Sequence, residues 1–233
     1  MLWVFVFYIY NISMALVFYI KINGGFIMEN TIGQKSKGYL TVKNMCIIGM
    51  LSALAAIVML FEIPLWFAPS FYEIDLSEVI VLIGAFTLGP VGGIIIEGLK
   101  VIINTMFNHT STGYIGELSN FVIGCTFILP ASLIYHSKKT RKTALIGMIV
   151  GTITLTIVGS LLNYYVFLPA FARYFGADVS YFVEQGTKIN SSIKDLKTLV
   201  LLATAPFNLL KGILSSAITF LVYKKISVIL HKN

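Results

Sequence analysis

Seven apolar runs, at residues 2–20, 42–61, 76–88, 91–107, 114–135, 144–168 and 199–222, constrain this chain more than any other feature. Crossing a hydrocarbon layer ~30 Å thick takes roughly 20 helical residues, and most of these runs approach that length. A single water-soluble core can absorb one such run, not several. The composition agrees: 57% of residues are hydrophobic and only 12% charged, too few polar side chains to wet a globular surface. The fold expected is an all-α integral membrane protein with a six-transmembrane-helix bundle.

The run at 2–20 lacks a basic leader and a small-residue cleavage site, so it is a poor signal peptide. Met28 opens a polar stretch, Glu29-Asn30-Thr31-Ile32-Gly33-Gln34-Lys35-Ser36-Lys37, of the kind that begins a cytoplasmic N-terminus. Residues 1–40 are therefore read as an N-terminal extension, with 1–27 either upstream of a true start at Met28 or a genuine extra helix. Residues 41–233 form the six-helix membrane domain. Its second run is short and ends at Gly89-Pro90, a break that turns runs two and three into an antiparallel pair.

The net charge of +7 would suggest nucleic acid in a soluble protein. Here the basic residues gather between apolar runs, so membrane lipid is the expected environment and no nucleic acid partner is expected. Lys138, Lys139, Arg141 and Lys142 lie between runs four and five, and Lys224, Lys225 and Lys232 lie near the C-terminus, whereas 62–75 and 108–113 contain no Lys or Arg. The positive-inside rule then puts both termini of the six-helix core in the cytoplasm of a multi-pass cell-membrane protein.

Cys46 and Cys125 sit in separate apolar runs and read as small buried hydrophobes. His109, His136 and His231 share no ligand spacing, so no metal is expected. The chain shows no phosphate-binding loop, nucleophile elbow or H-E-x-x-H pattern, which leaves no catalytic residue to name.

A charge at a helix centre costs about 2.5–3.5 kcal/mol on insertion, so each needs a reason. Run three carries Glu97, Lys100 and Asn104 on one stripe, either a self-neutralising Glu97–Lys100 pair or one wall of a cavity. Run six carries Pro206, Asn208 and Lys211 near mid-span. Pro206 leaves the carbonyl of Leu202 without its helical partner, and broken backbone at that depth usually lines a site. Asn163 in run five stands beside Tyr164 and Tyr165 and serves either a ligand or helix packing. In run four, Glu117 complements the helix N-terminus and Asn120 lies one turn deeper. Trp66, Phe67, Phe71 and Tyr72, in the outer loop with Glu73 and Asp75, make either an interfacial belt or a lid over a planar ligand. Amides suit the imide edge of a flavin or pyrimidine, aromatics suit its faces, and Lys, Asp and Glu suit hydroxyls on an attached chain.

Run one contains Gly49, Ser52, Ala53 and Ala56, small residues paired four apart that let another helix approach closely. Packing inside the bundle would give the same pattern.

Taken together, Phe61-Glu62-Ile63-Pro64, Asp75-Leu76-Ser77-Glu78-Val79, Phe86-Thr87-Leu88-Gly89-Pro90-Val91-Gly92-Gly93, Asn120-Phe121-Val122-Ile123-Gly124, Leu162-Asn163-Tyr164-Tyr165-Val166-Phe167-Leu168-Pro169 and Pro206-Phe207-Asn208-Leu209-Leu210-Lys211-Gly212 resemble the S-components of energy-coupling factor (ECF) vitamin transporters, specifically the riboflavin-binding type. The resemblance spans residues 45–223. It implies a six-helix bundle with a pocket open to the outside under the loop between the first two helices. It implies that Asn163, Asn208 and Lys211 contact the flavin, with Lys100 and Asn104 as weaker candidates, Asp75 and Glu78 on the lid side, and Asn120 nearby. Riboflavin would be bound as transported substrate, with no cofactor. The resemblance further implies docking, through Gly49, Ser52, Ala53 and Ala56, on an ECF energising module of a transmembrane coupling protein with two ATPases. The loop 170–198 is longer than the family leads one to expect, and residues 1–27 have no counterpart.

Two other readings stand beside this one. A self-contained proton-coupled vitamin permease would use Glu97 and Lys100 as its relay. A membrane enzyme would use Glu117 or Glu97 as acid or base, but lacks a second convergent carboxylate motif.

Overall fold

The computed structural model describes residues 41–69, 71–108, 110 and 112–230, with side chains to residue 222. The run at 2–20, Met28 and the extension 1–40 lie outside the described residues. The described residues form a helical bundle with a short hairpin at one end: α1 Val42–Met59, β1 Ile63–Pro64, β2 Glu73–Ile74, α2 Ser77–Leu88, α3 Pro90–Phe107, α4 Ile115–Lys138, α5 Arg141–Leu162, α6 Leu168–Tyr174, α7 Ser180–Ile189 and, after a single helical turn at Leu196–Leu199, α8 Ala205–Leu230. Among the described residues five continuous helical spans, Val42–Met59, Pro90–Phe107, Ile115–Lys138, Arg141–Tyr174 and Leu196–Val222, are long and apolar enough to cross a membrane. The sixth, α2, has 12 residues, so it covers only ~18 Å at 1.5 Å per residue.

Each boundary has a local cause. Gly89, at φ 95°, makes the turn that a side chain would strain, and Pro90 then starts α3 where its missing N–H costs nothing. Thr140 and Thr143 cap α5 reciprocally, directly after Lys139 closes α4 in the left-handed region. The strands pair Ile63 with Ile74 and Pro64 with Glu73, pinning the α1–α2 loop into a hairpin.

The core gathers Val81, Leu82, Ala85, Ile96, Phe127, Ile128 and Ala131 from α2, α3 and α4. Helices α4 and α5 approach backbone to backbone. A Cβ at Gly147 would stand 2.5 Å from the Ala131 carbonyl oxygen, and one at Gly151 would stand 2.7 Å from that of Phe127. Outside, Ile149, Ile153, Ile157 and Leu161 recur every fourth residue on α5 and are all exposed, an apolar stripe facing outward as lipid demands.

Two departures from the sequence reading concern prolines and the long loop. Run five does not stop before Pro169: it passes through a π-helical segment, Asn163–Phe167, into α6. Run six likewise begins with a π segment, Val200–Thr204, ahead of Pro206. Proline supplies no N–H, and the wider turn relocates the hydrogen bonds that an α-turn would lose. The two segments touch one another. The loop 170–198 is largely helical, with α7 turning Phe182 and Gly186 inward.

Candidate functional site

Where the hairpin meets the ends of α3, α4 and α8, a cavity of about 550 Å³ opens, inside the ~300–1,000 Å³ range of small-molecule sites. Asn104, Asn120, Asn163, Asn208 and Lys211 line it together, from four different spans. Three of the amides are more than nine-tenths buried: Asn104 is 7% exposed, Asn163 5% and Asn208 2%. Asn163 Nδ2 donates to the Gly159 carbonyl at 2.9 Å, a bond that fixes the amide on its π turn. Asn104 Nδ2 and Asn208 Nδ2 have no protein partner among the described residues. A buried amide without a partner is costly, so two lining one cavity mark where a ligand acceptor belongs.

Gly159 stands behind Asn208. A Cβ there would lie 3.0 Å from Asn208 Nδ2, so the glycine leaves the amide its place.

Aromatic rings wall the remainder. Phe71, Tyr72, Phe171, Phe175, Phe182 and Phe207 line the cavity, whereas Tyr164 and Tyr165 do not. The Tyr72 ring lies 4.9 Å from that of Phe207, its hydroxyl shares a 2.7 Å hydrogen bond with Thr204 Oγ1, and Phe71 meets Phe182 edge-on at 5.4 Å. The hairpin is thereby fastened to α8 and α7. Trp66, 89% exposed, points away. The four loop aromatics thus divide, Phe71 and Tyr72 toward the cavity, Trp66 and Phe67 not lining it. Sequence reasoning missed Phe171, Phe175 and Phe182, because they lie in segments read as loop, and missed the hydroxyls of Thr110, Thr112 and Ser119, which carry no pattern of their own.

Asp75, Glu78 and Lys100 are not among the cavity-lining residues. They stand behind it in a buried ionic network. Lys100 Nζ pairs with Glu97 Oε1 at 2.8 Å and Glu78 Oε1 at 3.0 Å, and donates to Ser77 Oγ at 3.2 Å. Lys211 Nζ pairs with Asp75 Oδ2 at 3.0 Å and approaches Glu78 Oε1 at 3.9 Å. Asp75 Oδ1 accepts from both the Ser77 hydroxyl and, at 2.8 Å, the Ser77 N–H. Gly124 admits the cluster, since a Cβ there would sit 2.4 Å from Glu97 Oε1. The stripe Glu97–Lys100–Asn104 is therefore split: Asn104 reaches the cavity, while Lys100 is fully buried against its carboxylates. Lys100, a weaker candidate from the sequence, is thus placed among Glu97, Glu78 and Ser77 rather than in the lining, while Lys211 is held by Asp75.

Outside the spans, burial favours a neutral Asp75, but the charges of Lys211 and Lys100 and the bonds from Ser77 and Lys211 outweigh it and hold the carboxyl well below the usual range. At the mouth Glu62 is exposed as a residue, yet partial desolvation of its carboxyl, a hydrogen bond with Glu73 and the charges of Glu73 and Asp75 push it up to about 7, against Lys211. Burial also pushes the Tyr72 phenol up, despite its bond to Thr204.

The small residues of α1 separate by face. Gly49 and Ala53 are exposed, and a Cβ on Gly49 would meet nothing within 4 Å. Ser52 and Ala56, 0% and 3% exposed, pack inside the bundle and are not available to a partner.

The family described as "ECF transporter, substrate-specific component" matches residues 43–223. A Staphylococcus aureus protein named riboflavin transporter RibU is 34% identical over 79% of this chain and 90% of its own length. The Bacillus subtilis riboflavin transporter FmnP is 30% identical over 79% of this chain and 92% of its own. A solved S component of a bacterial ECF transporter superposes with a TM-score of 0.63 at 33% identity, over 82% of this chain and 98% of that one.

Proposed function

The chain belongs to the ECF transporter substrate-specific component family, and from that premise we propose that it captures riboflavin from the outer side of the cell membrane and releases it inward when docked on an energising module. The observation that carries the ligand is the pair of buried amides, Asn104 and Asn208, whose Nδ2 atoms lack partners in a cavity walled by aromatic rings. A flavin is planar, and its imide edge carries carbonyl acceptors beside an N–H donor. Amides complement that edge and rings complement the faces. Asn163, held by Gly159, and Lys211, held by Asp75, supply an amide and a cation already fixed in position, which lowers the ordering cost of binding. Two relatives named as riboflavin transporters support the same substrate.

In this reading the hairpin is the outer lid, with its tie from Tyr72 to Thr204 opening to admit the vitamin. The termini of the core face the cytoplasm, and the exposed Gly49 and Ala53 give the energising module a flat track on α1. Family membership argues against an enzyme. The permease alternative needs Glu97 and Lys100 as a relay, but neither lines the cavity, and the Lys100 ammonium is shared among Glu97, Glu78 and Ser77.

The test is to purify the full chain in detergent from cells grown with riboflavin and record its visible spectrum. A yellow protein with near one flavin per chain supports the reading. A colourless folded protein that fails to quench added riboflavin fluorescence sinks it, and vitamin flux by the chain alone in sealed vesicles would favour the permease.

A further inference from the structure

On the last turn of α5, Gly159 is buried and does not itself line the cavity, yet it meets two of the amides that do. Its carbonyl oxygen accepts from Asn163 Nδ2 at 2.9 Å and also from the Asn163 backbone N–H, so it holds that residue by main chain and side chain together. Its missing Cβ leaves the space that Asn208 occupies. A Cβ there would stand 3.0 Å from Asn208 Nδ2, 3.6 Å from Asn208 Cγ and 3.4 Å from Cγ2 of Ile123, another lining residue. At 3.0 Å a neighbour must give way by a few tenths of an ångström, and the Asn208 amide is the group free to move, since its Nδ2 has no protein partner among the described residues. Other close-packed glycines serve the bundle instead: Gly147 and Gly151 admit the backbone of α4, and Gly212 admits Thr152, none of which lines the cavity.

We propose that Gly159 is a positioning residue of the site: it sets the offset between the Asn163 and Asn208 amides, so that both meet one flavin edge at once. The two amides stand on different spans, Asn163 on the π turn after α5 and Asn208 on α8, and Gly159 touches both. Hydrogen bonds weaken steeply as their geometry departs from ideal, so a small offset matters where two groups must reach a single rigid ring edge. A methyl on this Cα leaves the glycine carbonyl and its bonds to Asn163 in place. Gly159→Ala therefore moves one amide against the other rather than disturbing both.

The inference rests on the flavin reading, and its test keeps the two apart. The purified full chain, freed of endogenous ligand, is titrated with riboflavin, following flavin fluorescence, as wild type and as Gly159→Ala, alone and combined with Asn208→Ala or Asn163→Ala. Gly159→Ala binds riboflavin about tenfold more weakly, the worth of roughly one hydrogen bond. The ligand-free variant melts no lower than wild type, because alanine is the better helix former, so the loss is one of placement and not of folding. The loss shrinks to within about twofold when Asn208→Ala is already present and persists when Asn163→Ala is. Gly98→Ala on α3, whose new Cβ meets a Phe121 ring carbon at an ordinary 3.5 Å, leaves affinity unchanged. Wild-type affinity in Gly159→Ala, or a loss that Asn208→Ala fails to absorb, overturns the positioning role while leaving the flavin site standing. A Gly159→Ala chain that fails to fold, and still fails with Asn208→Ala beside it, marks a packing glycine and overturns the role as well, whereas folding restored by Asn208→Ala upholds it. A wild type that binds no riboflavin overturns the flavin reading and this inference with it.

Discussion

Lys100 distinguishes a ligand contact from a buried strut. Lys100→Met keeps an unbranched stem of similar bulk and deletes the ammonium that sits 2.8 Å from Glu97 and 3.0 Å from Glu78. Three buried carboxylates then share one cation, Lys211, which is 3.9 Å from Glu78 and engaged by Asp75. Removing one partner of a buried pair costs about 3–5 kcal/mol, because the other charge stays behind without compensation. For a chain of this size each kcal/mol moves the melting temperature by about 2–4 °C, so the expected loss is roughly 6–20 °C. The assay is thermal unfolding of the purified protein in detergent. Adding Glu97→Gln removes a carboxylate along with the ammonium, and coupling between contacting residues of about 0.5–3 kcal/mol returns part of the loss. A Lys100→Met protein that melts within roughly 2 °C of wild type, yet binds flavin far more weakly, would refute the strut and restore the direct contact.

Asn208→Ala and Lys211→Ala each weaken flavin binding by about 1–3 kcal/mol in a fluorescence titration, since each leaves a buried partner unpaired, and unchanged affinity in both defeats the site. Gly49→Leu or Ala53→Trp abolishes vitamin uptake by cells while the purified variant still binds flavin; loss of binding instead means this face packs within the bundle. Glu62, raised from an ordinary 4.5 to about 7, binds its proton more tightly folded than unfolded. Its contribution to hairpin order is thus complete below about 4.5, fades as pH rises through 7 and is gone above. Protease resistance of the hairpin should fall across that window in the wild type and stay level in Glu62→Gln.

The spans were legible because lipid leaves a composition signal that no other solvent leaves. Runs predicted at 42–61, 91–107 and 114–135 meet helices Val42–Met59, Pro90–Phe107 and Ile115–Lys138 within a few residues at each end. The amides were legible for the same reason, since polar groups at depth demand an account. What stayed hidden depends on partners distant in sequence. The spacing of Glu97, Lys100 and Asn104 gives a common stripe, but only the approach of Glu78 at 3.0 Å decides that Lys100 turns away from the cavity. Gly49 and Ala53 carry the same four-residue spacing as Ser52 and Ala56, and only the bundle shows which pair faces inward. Helix α7 escaped because its inward residues, Phe182 and Gly186, are too few among polar neighbours to make an apolar run.

The paired π segments have a further consequence for angular phase. A turn closed over five residues rather than four inserts the equivalent of one residue, about 100° of rotation, between the helix before and the helix after. The chain before Val200 and the chain from Ala205 onward are therefore out of step, and so are the two sides of Asn163–Phe167. A helical wheel drawn straight through either span sends its later residues to the wrong compass point. Deleting one residue from Val200–Thr204 would restore an even wheel and swing Asn208 and Lys211 by that same ~100° relative to the turn capped by Asp195. The direction in which these spans present their polar groups is thus written as an offset in the backbone, independent of which side chains it carries.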